Sequence, residues 1–266
     1  MIRSDFHSHS NFSDGVASPR DMVEAAIAKG LTCYGLSDHG YAPYDLDVCI
    51  PLERRPDYIP TIRALQEEYA GRIDLKLGLE MDALSEEEET GYDYKIGSVH
   101  YAQSPGGDPI VIDYPADCLR TGAETAFGGD VYALLESYWN IAGEVVERTG
   151  CDIIGHFDLC AKYSEREDCP FDPQHPRYVA AWQKAADRLL KTGRLFEINM
   201  GAVAKHYRSF PYPAPDIARY LIDRGARFVL SSDSHRPENI AYDFDRWERY
   251  YRSLGAEIVE FNVTGR

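Results

Sequence analysis

The chain has 266 residues, 44% of them hydrophobic, enough for one large domain of barrel type or two small ones. Its net charge of −16, with no Lys/Arg-rich stripe, argues against a nucleic-acid partner, which needs a positive track to displace phosphate counterions. Apolar runs stay well below the ~18 residues of a membrane span, and residues 1–5 lack the basic and apolar regions of a signal peptide, so no membrane contact and a cytoplasmic location are expected.

Short apolar segments predict strands at about 2–7, 31–37, 74–80, 94–99, 152–156, 195–199 and 227–231, with a further one near 257–262. Helical patterns lie between them. Ser18-Pro19 reads as an N-cap serine with proline at the first helical position, and Gly30 ends that helix. Val131, Leu134, Leu135, Tyr138, Ala142, Val145 and Val146 recur at helical spacing over 131–148, as do Tyr178, Trp182, Ala185 and Leu189 over 178–190. Strands alternating with helices imply a parallel sheet. Two segments read as long loops, about 40–57 and 102–129, the second holding a short β excursion from Pro109 to Asp113. The run Glu86–Glu89 reads as solvated surface. Cys33, Cys49, Cys118, Cys151, Cys160 and Cys169 form no C-x-x-C pair and read as reduced thiols rather than zinc ligands. Glycine-rich dinucleotide and phosphate-loop motifs are absent from the sequence.

Six of the eight histidines stand in short motifs with acids: Asp5-Phe6-His7-Ser8-His9 with Asp14, Ser37-Asp38-His39, Gly97-Ser98-Val99-His100, Gly155-His156-Phe157-Asp158 and Ser231-Ser232-Asp233-Ser234-His235. Glu80 ends the apolar segment 75–79. Imidazole and carboxylate are ligands of zinc, manganese and iron. On an extended strand the two rings of His7 and His9 would point the same way, about 7 Å apart at Cα, which suits joint chelation. Each motif ends or follows a predicted strand. In a parallel barrel the carboxyl ends of the strands share one face, where active sites sit. His175, before a proline at a helix start, reads as structural. His206, in a polar loop, is a possible substrate neighbour.

These motifs, with Asn11-Phe12-Ser13-Asp14-Gly15, Gly78-Leu79-Glu80 and Glu197-Ile198-Asn199, resemble the PHP (polymerase and histidinol phosphatase) superfamily over essentially the whole chain, and within it the histidinol-phosphate phosphatase branch. Asp14 stands where many superfamily members have histidine and that branch has aspartate. The resemblance implies one domain over 1–266, a distorted (β/α)7 TIM-like barrel with its metal centre at the C-terminal ends of the strands. It implies three divalent ions (Zn, Mn or Fe): one on His7, His9, Glu80 and Asp233, a second sharing Glu80 with His100 and His156, and a third on Asp14, His39 and His235. Glu80, Asp233 and His235 would carry catalysis.

Phosphomonoester hydrolysis fits such a centre, with a metal-bridging hydroxide as the nucleophile. A phosphate dianion also needs cationic donors. Lys162, Lys205 and Arg208 lie where the resemblance places phosphate-binding residues. Arginine is common there, and lysine at 162 and 205 lacks its bidentate fork. Asp5, Asp38 and Asp158 adjoin ligand histidines and either orient their rings or cap local turns. The expected activity is hydrolysis of L-histidinol phosphate to L-histidinol and phosphate in histidine biosynthesis. The alternatives are a phosphoesterase for another small ester such as a nucleotide, and a non-catalytic metal-binding protein.

Overall fold

A computed structural model describes residues 2–85 and 90–261, so the Glu86–Glu89 run and the end of the last predicted strand lie outside the described residues. In chain order the elements are β1 (Ser4–Asp5), α1 (Pro19–Ala28), β2 (Cys33–Leu36), α2 (Arg55–Glu68), β3 (Asp74–Asp82), β4 (Tyr94–Ser98), β5 (Tyr101–Gln103), β6 (Pro109–Val111), α3 (Cys118–Ala126), α4 (Val131–Ala142), α5 (Val145–Thr149), β7 (Ile153–Ile154), α6 (Pro176–Leu190), β8 (Leu195–Asn199), α7 (Gly201–Ala204), α8 (Pro215–Ile222), β9 (Arg227–Ser231), α9 (Phe244–Ser253) and β10 (Glu257–Ile258).

The main sheet has the order β1-β2-β3-β4-β7-β8-β9-β10, and its pairs are parallel. Parallel strands joined largely through helices curl into the expected distorted TIM-like barrel. The barrel closes loosely. Beyond the named strands, Ser8 and Ser234 form a parallel bridge, with the His9 amide donating to the Ser234 carbonyl at 2.8 Å.

The barrel interior is layered. Phe6, Tyr94, Ile96, Ile153, Leu195 and Val229 form an apolar plug in its lower half. Tyr94 fits only because glycines face it. A Cβ at Gly35 would lie 2.1 Å from the Tyr94 hydroxyl oxygen, and one at Gly78 would lie 2.2 Å from its ring. The hydroxyl donates to the Phe6 carbonyl at 2.5 Å, so the buried phenol is satisfied. Two further apolar clusters fill the space between barrel and helices, one under α1 and α2 and one under α3–α9.

Several local expectations hold and others need correction. Ser18 caps α1 through its side chain, and α6 starts at Pro176 with His175 as its cap. The 131–148 helix is broken into α4 and α5 at Gly143, where an added Cβ would lie 3.2 Å from the Cα of Ala185. The segment 102–129 is not a loop throughout. Its 109–111 excursion pairs with β5, and α3 follows. Threonines and Gly122 hide that helix in the sequence. A Cβ at Gly122 would meet Ile110 at 2.6 Å, so close packing rather than flexibility selects the glycine. The 40–57 loop ends at Arg55, where α2 begins.

Candidate metal centre

The nine expected ligands come together at the C-terminal ends of the strands. His7 and His9 follow β1, Asp14 precedes α1, His39 follows β2, and Glu80 lies within β3. His100 follows β4, His156 follows β7, and Asp233 and His235 follow β9. Asp233 sits at φ 51°, a left-handed turn that aspartate tolerates better than most residues.

Glu80 is the hub. Its Oε2 lies 3.1 Å from His7 Nε2, 3.4 Å from His9 Nε2 and 3.0 Å from His39 Nδ1. Its Oε1 lies 2.9 Å from His156 Nε2 and 3.5 Å from His100 Nε2. Asp233 Oδ1 is 3.4 Å from His9 Nε2 and 3.8 Å from His7 Nε2. Asp14 reaches His235 Nε2 at 3.0 Å and His39 Nε2 at 3.7 Å.

Four overlapping groups of these side chains could each hold an ion: His9-Asp14-His39-His235, His7-Glu80-His156, His7-His9-Asp233 and His39-Glu80-His100. These groups draw on the nine expected side chains, but they divide them differently from the expected three sites. His9 also reaches the Asp14 group, and His39 also reaches Glu80, because the His9 ring stacks between His39 and His235. A divalent ion fits. His7 Nε2, His9 Nε2, Asp14 Oδ1 and Glu80 Oε2 are buried with no hydrogen-bond partner among the described residues. Such lone pairs are costly unless a cation takes them. The donors are imidazole nitrogen and carboxylate oxygen, and no cysteine joins these groups among the described residues, which matches zinc, manganese or iron.

Burial disfavours the charged form of Glu80, yet His39, His7, His100 and His156 hold its carboxyl well below the usual range. Burial, reinforced by His235 and His39, pushes His9 down to about 3, so that ring stays neutral and able to donate a lone pair.

Two acids orient rings of the cluster, a role assigned to neither from the sequence alone. Glu197 Oε1 lies 2.7 Å from His7 Nδ1, and Asp82 Oδ2 lies 3.2 Å from His100 Nδ1. With each Nδ1 donating its proton, Nε2 is left facing the centre. Glu197 also accepts from the His156 amide at 3.0 Å. It was visible in the motif Glu197-Ile198-Asn199, an acid placed in an otherwise buried strand.

Asp5, Asp38 and Asp158 do not orient rings. Asp5 accepts from the Ser232 amide and hydroxyl and the Ala241 amide, and burial raises its carboxyl to about 6. Asp38 gathers the amides and hydroxyls of Ser10 and Ser13. Asp158 accepts from Arg208 and the Ala214 amide. Each carboxylate adjoins a ligand motif in sequence, but its side chain ties down loop backbone instead.

The centre opens into a cavity of about 550 Å³. The cluster lines one side, and Tyr44, Asp45, Tyr101, Asp113, Lys162 and Lys205 line others. Lys162 Nζ pairs with Asp113 Oδ2 at 3.0 Å. Lys205 Nζ lies 3.3 Å from His235 Nδ1, which also lies 3.1 Å from the Asp233 carbonyl. One nitrogen cannot both donate to that carbonyl and accept from lysine. The shorter carbonyl contact leaves the ammonium available to an anion.

Arg208 departs from the expectation. Its side chain is 3% exposed and does not line the cavity. It pairs with Asp158 at 3.1 Å and lies over the Tyr212 ring. His206 is exposed and also outside the lining, whereas His175 stacks on Tyr132 at the α6 start, as its structural reading implied.

Comparisons agree with this architecture. The family model described as "PHP domain" matches residues 5–201. A Deinococcus radiodurans protein named a probable histidinol-phosphatase is 33% identical, covering 97% of this chain and 95% of its own. A Listeria monocytogenes protein solved as a candidate histidinol phosphatase superposes with a TM-score of 0.74 at 18% identity, over 92% of this chain and 99% of that one. Lactococcus lactis histidinol phosphate phosphatase, solved with Zn, L-histidinol and phosphate, gives 0.67 at 21% identity, over 97% and 95%.

Proposed function

The chain belongs to the PHP domain family, and from that premise we propose that it is a metal-dependent phosphomonoesterase that hydrolyses L-histidinol phosphate to L-histidinol and phosphate in histidine biosynthesis. The observation that carries the reading is the convergence of eight imidazole and carboxylate side chains around Glu80, beside a cavity lined by two lysines. The likeness to the Deinococcus relative, over nearly the whole of both chains, supports the choice of ester.

His7, His9, Glu80 and Asp233 would hold one divalent ion, Glu80, His100 and His156 a second, and Asp14, His39 and His235 a third, as zinc, manganese or iron. Ions bound there supply Lewis acidity, which lowers the pKa of water from about 15.7 to about 7 and furnishes hydroxide as the nucleophile at neutral pH. The protein's own residues set the geometry. Glu197 and Asp82 fix the tautomers of His7 and His100, and the Ser98 hydroxyl donates to Glu80 Oε1 at 2.5 Å. Lys205 offers an ammonium to the phosphate beside His235. The plug of Tyr94 and its neighbours seals the lower end of the barrel, so the cavity mouth is the route for ester and water.

Purified protein tests the reading through metal analysis combined with a panel of phosphomonoesters. Activity should vanish on chelation and return with Mn, Fe or Zn, and L-histidinol phosphate should have the highest kcat/KM. Much faster turnover of nucleotides or phosphoserine would overturn the substrate assignment.

A further inference from the structure

Lys162 and Lys205 are the cavity's lysine or arginine side chains among the described residues. Four carboxylates line the same cavity beyond the expected ligands: Asp45, Asp47, Asp82 and Asp113. Two are occupied by neutral or ligand partners. Asp45 accepts from the Tyr101 hydroxyl, and Asp82 takes the Tyr44 hydroxyl, the His100 amide and the His100 ring. Asp47 stands exposed on the mouth loop. Asp113 is different. It follows β6, is mostly covered, and its Oδ2 holds the ammonium of Lys162. Its Oδ1 has no hydrogen-bond partner among the described residues.

An ester phosphate that recruits Lys162 must draw it from Asp113. A mostly covered carboxylate stripped of its counter-ion, facing a dianion, is strongly unfavourable. The cost disappears if the ester carries its own cation a few bonds from the phosphate. The phosphate then meets Lys162, the ammonium meets Asp113, and four charges alternate in sign. We propose that the Asp113–Lys162 pair is the specificity element of the site, exchanged on binding so that phosphomonoesters bearing a nearby ammonium group are selected over amine-free or purely anionic ones. This rests on the phosphomonoesterase reading and adds the feature of the ester that is recognised.

Matched pairs of ligands test it: L-histidinol phosphate against its analogue lacking the amine, and 2-aminoethyl phosphate against ethyl phosphate. In the wild type, kcat/KM should favour the amine-bearing member of each pair at least tenfold. In Asp113→Asn that preference should collapse through KM, with kcat and metal content little changed and the amine-free esters unharmed or improved. Equal losses for both members would reduce Asp113 to a positioning residue for Lys162 and overturn the proposal. So would an unaltered preference. Calorimetric binding of the non-hydrolysable 3-aminopropylphosphonate and propylphosphonate to the wild type needs neither variant nor turnover, and equal affinities would also overturn it. If aminoethyl phosphate is preferred over its amine-free partner but L-histidinol phosphate is a poor substrate, the substrate assignment fails and the pair's role stands.

Discussion

The lower and upper halves of the barrel interior are built from the same strands yet do opposite work. On β4, Tyr94 and Ile96 belong to the apolar plug, while Ser98, two residues on, hydrogen-bonds Glu80. On β8, Leu195 is in the plug and Glu197 holds His7. On β3, Gly78 makes room for Tyr94, and Glu80 is the hub of the ligand cluster. Side chains alternate across a strand, so a step of two residues keeps the same face and moves only along the axis. Glu80, Ser98 and Glu197 are as buried as the plug beneath them. What differs is the partner: below, apolar surface is matched to apolar surface, and above, lone pairs face one another.

That contrast predicts separable losses. The largest is expected for Glu80→Gln, which should remove turnover by more than the ~10–100-fold typical of residues that only orient a ligand, with loss of metal measured by elemental analysis. Near-wild-type activity and metal content in that variant would break the division. Gly35→Ala should do the reverse, costing roughly 1–3 kcal/mol of stability by overpacking Tyr94 while activity per folded molecule stays within a few fold. Denaturant melts beside active-site titration separate the two effects. Glu197→Gln, which meets the upper layer through the His7 ring and the His156 amide, should lower activity and metal affinity about 10–100-fold with little change in stability, as chelator competition would read. Smallest is Lys205→Ala, where KM should rise roughly tenfold, as for one lost charge-assisted hydrogen bond, with metal content unchanged. An unaltered KM would return Lys205 to the solvent.

The strand pattern and the clustered His and Asp side chains were legible in sequence because each signal is local: a run of β-forming residues followed within a few positions by His or Asp. Glu80 stood out as an acid ending an apolar segment. What escaped was set by distance in space. Glu197 stands in a visible motif, but its role does not show until His7, 190 positions away, is beside it. Asp113 and Lys162 lie 49 apart, and nothing in either neighbourhood announces the pair. Arg208 misled for the converse reason. Its charge suggested phosphate, but the fold buries it on Asp158, adjacent in sequence to the Phe157 that follows His156. The α3 helix was hidden because Gly122 lowers helical propensity at a point where only a missing Cβ fits.

The Ser8–Ser234 bridge has a mechanical consequence. It is where the sheet meets itself, and it joins the first strand to one formed more than two hundred residues later. His7 and His9 flank one side of that seam and Asp233 and His235 the other. An ion shared between them would act as a clasp on the ring, so loading the centre should fasten the closure of the barrel as well as equip its mouth. Hydrogen exchange at the His9 and Ser234 amides should therefore slow on metal addition more than exchange in the plug strands.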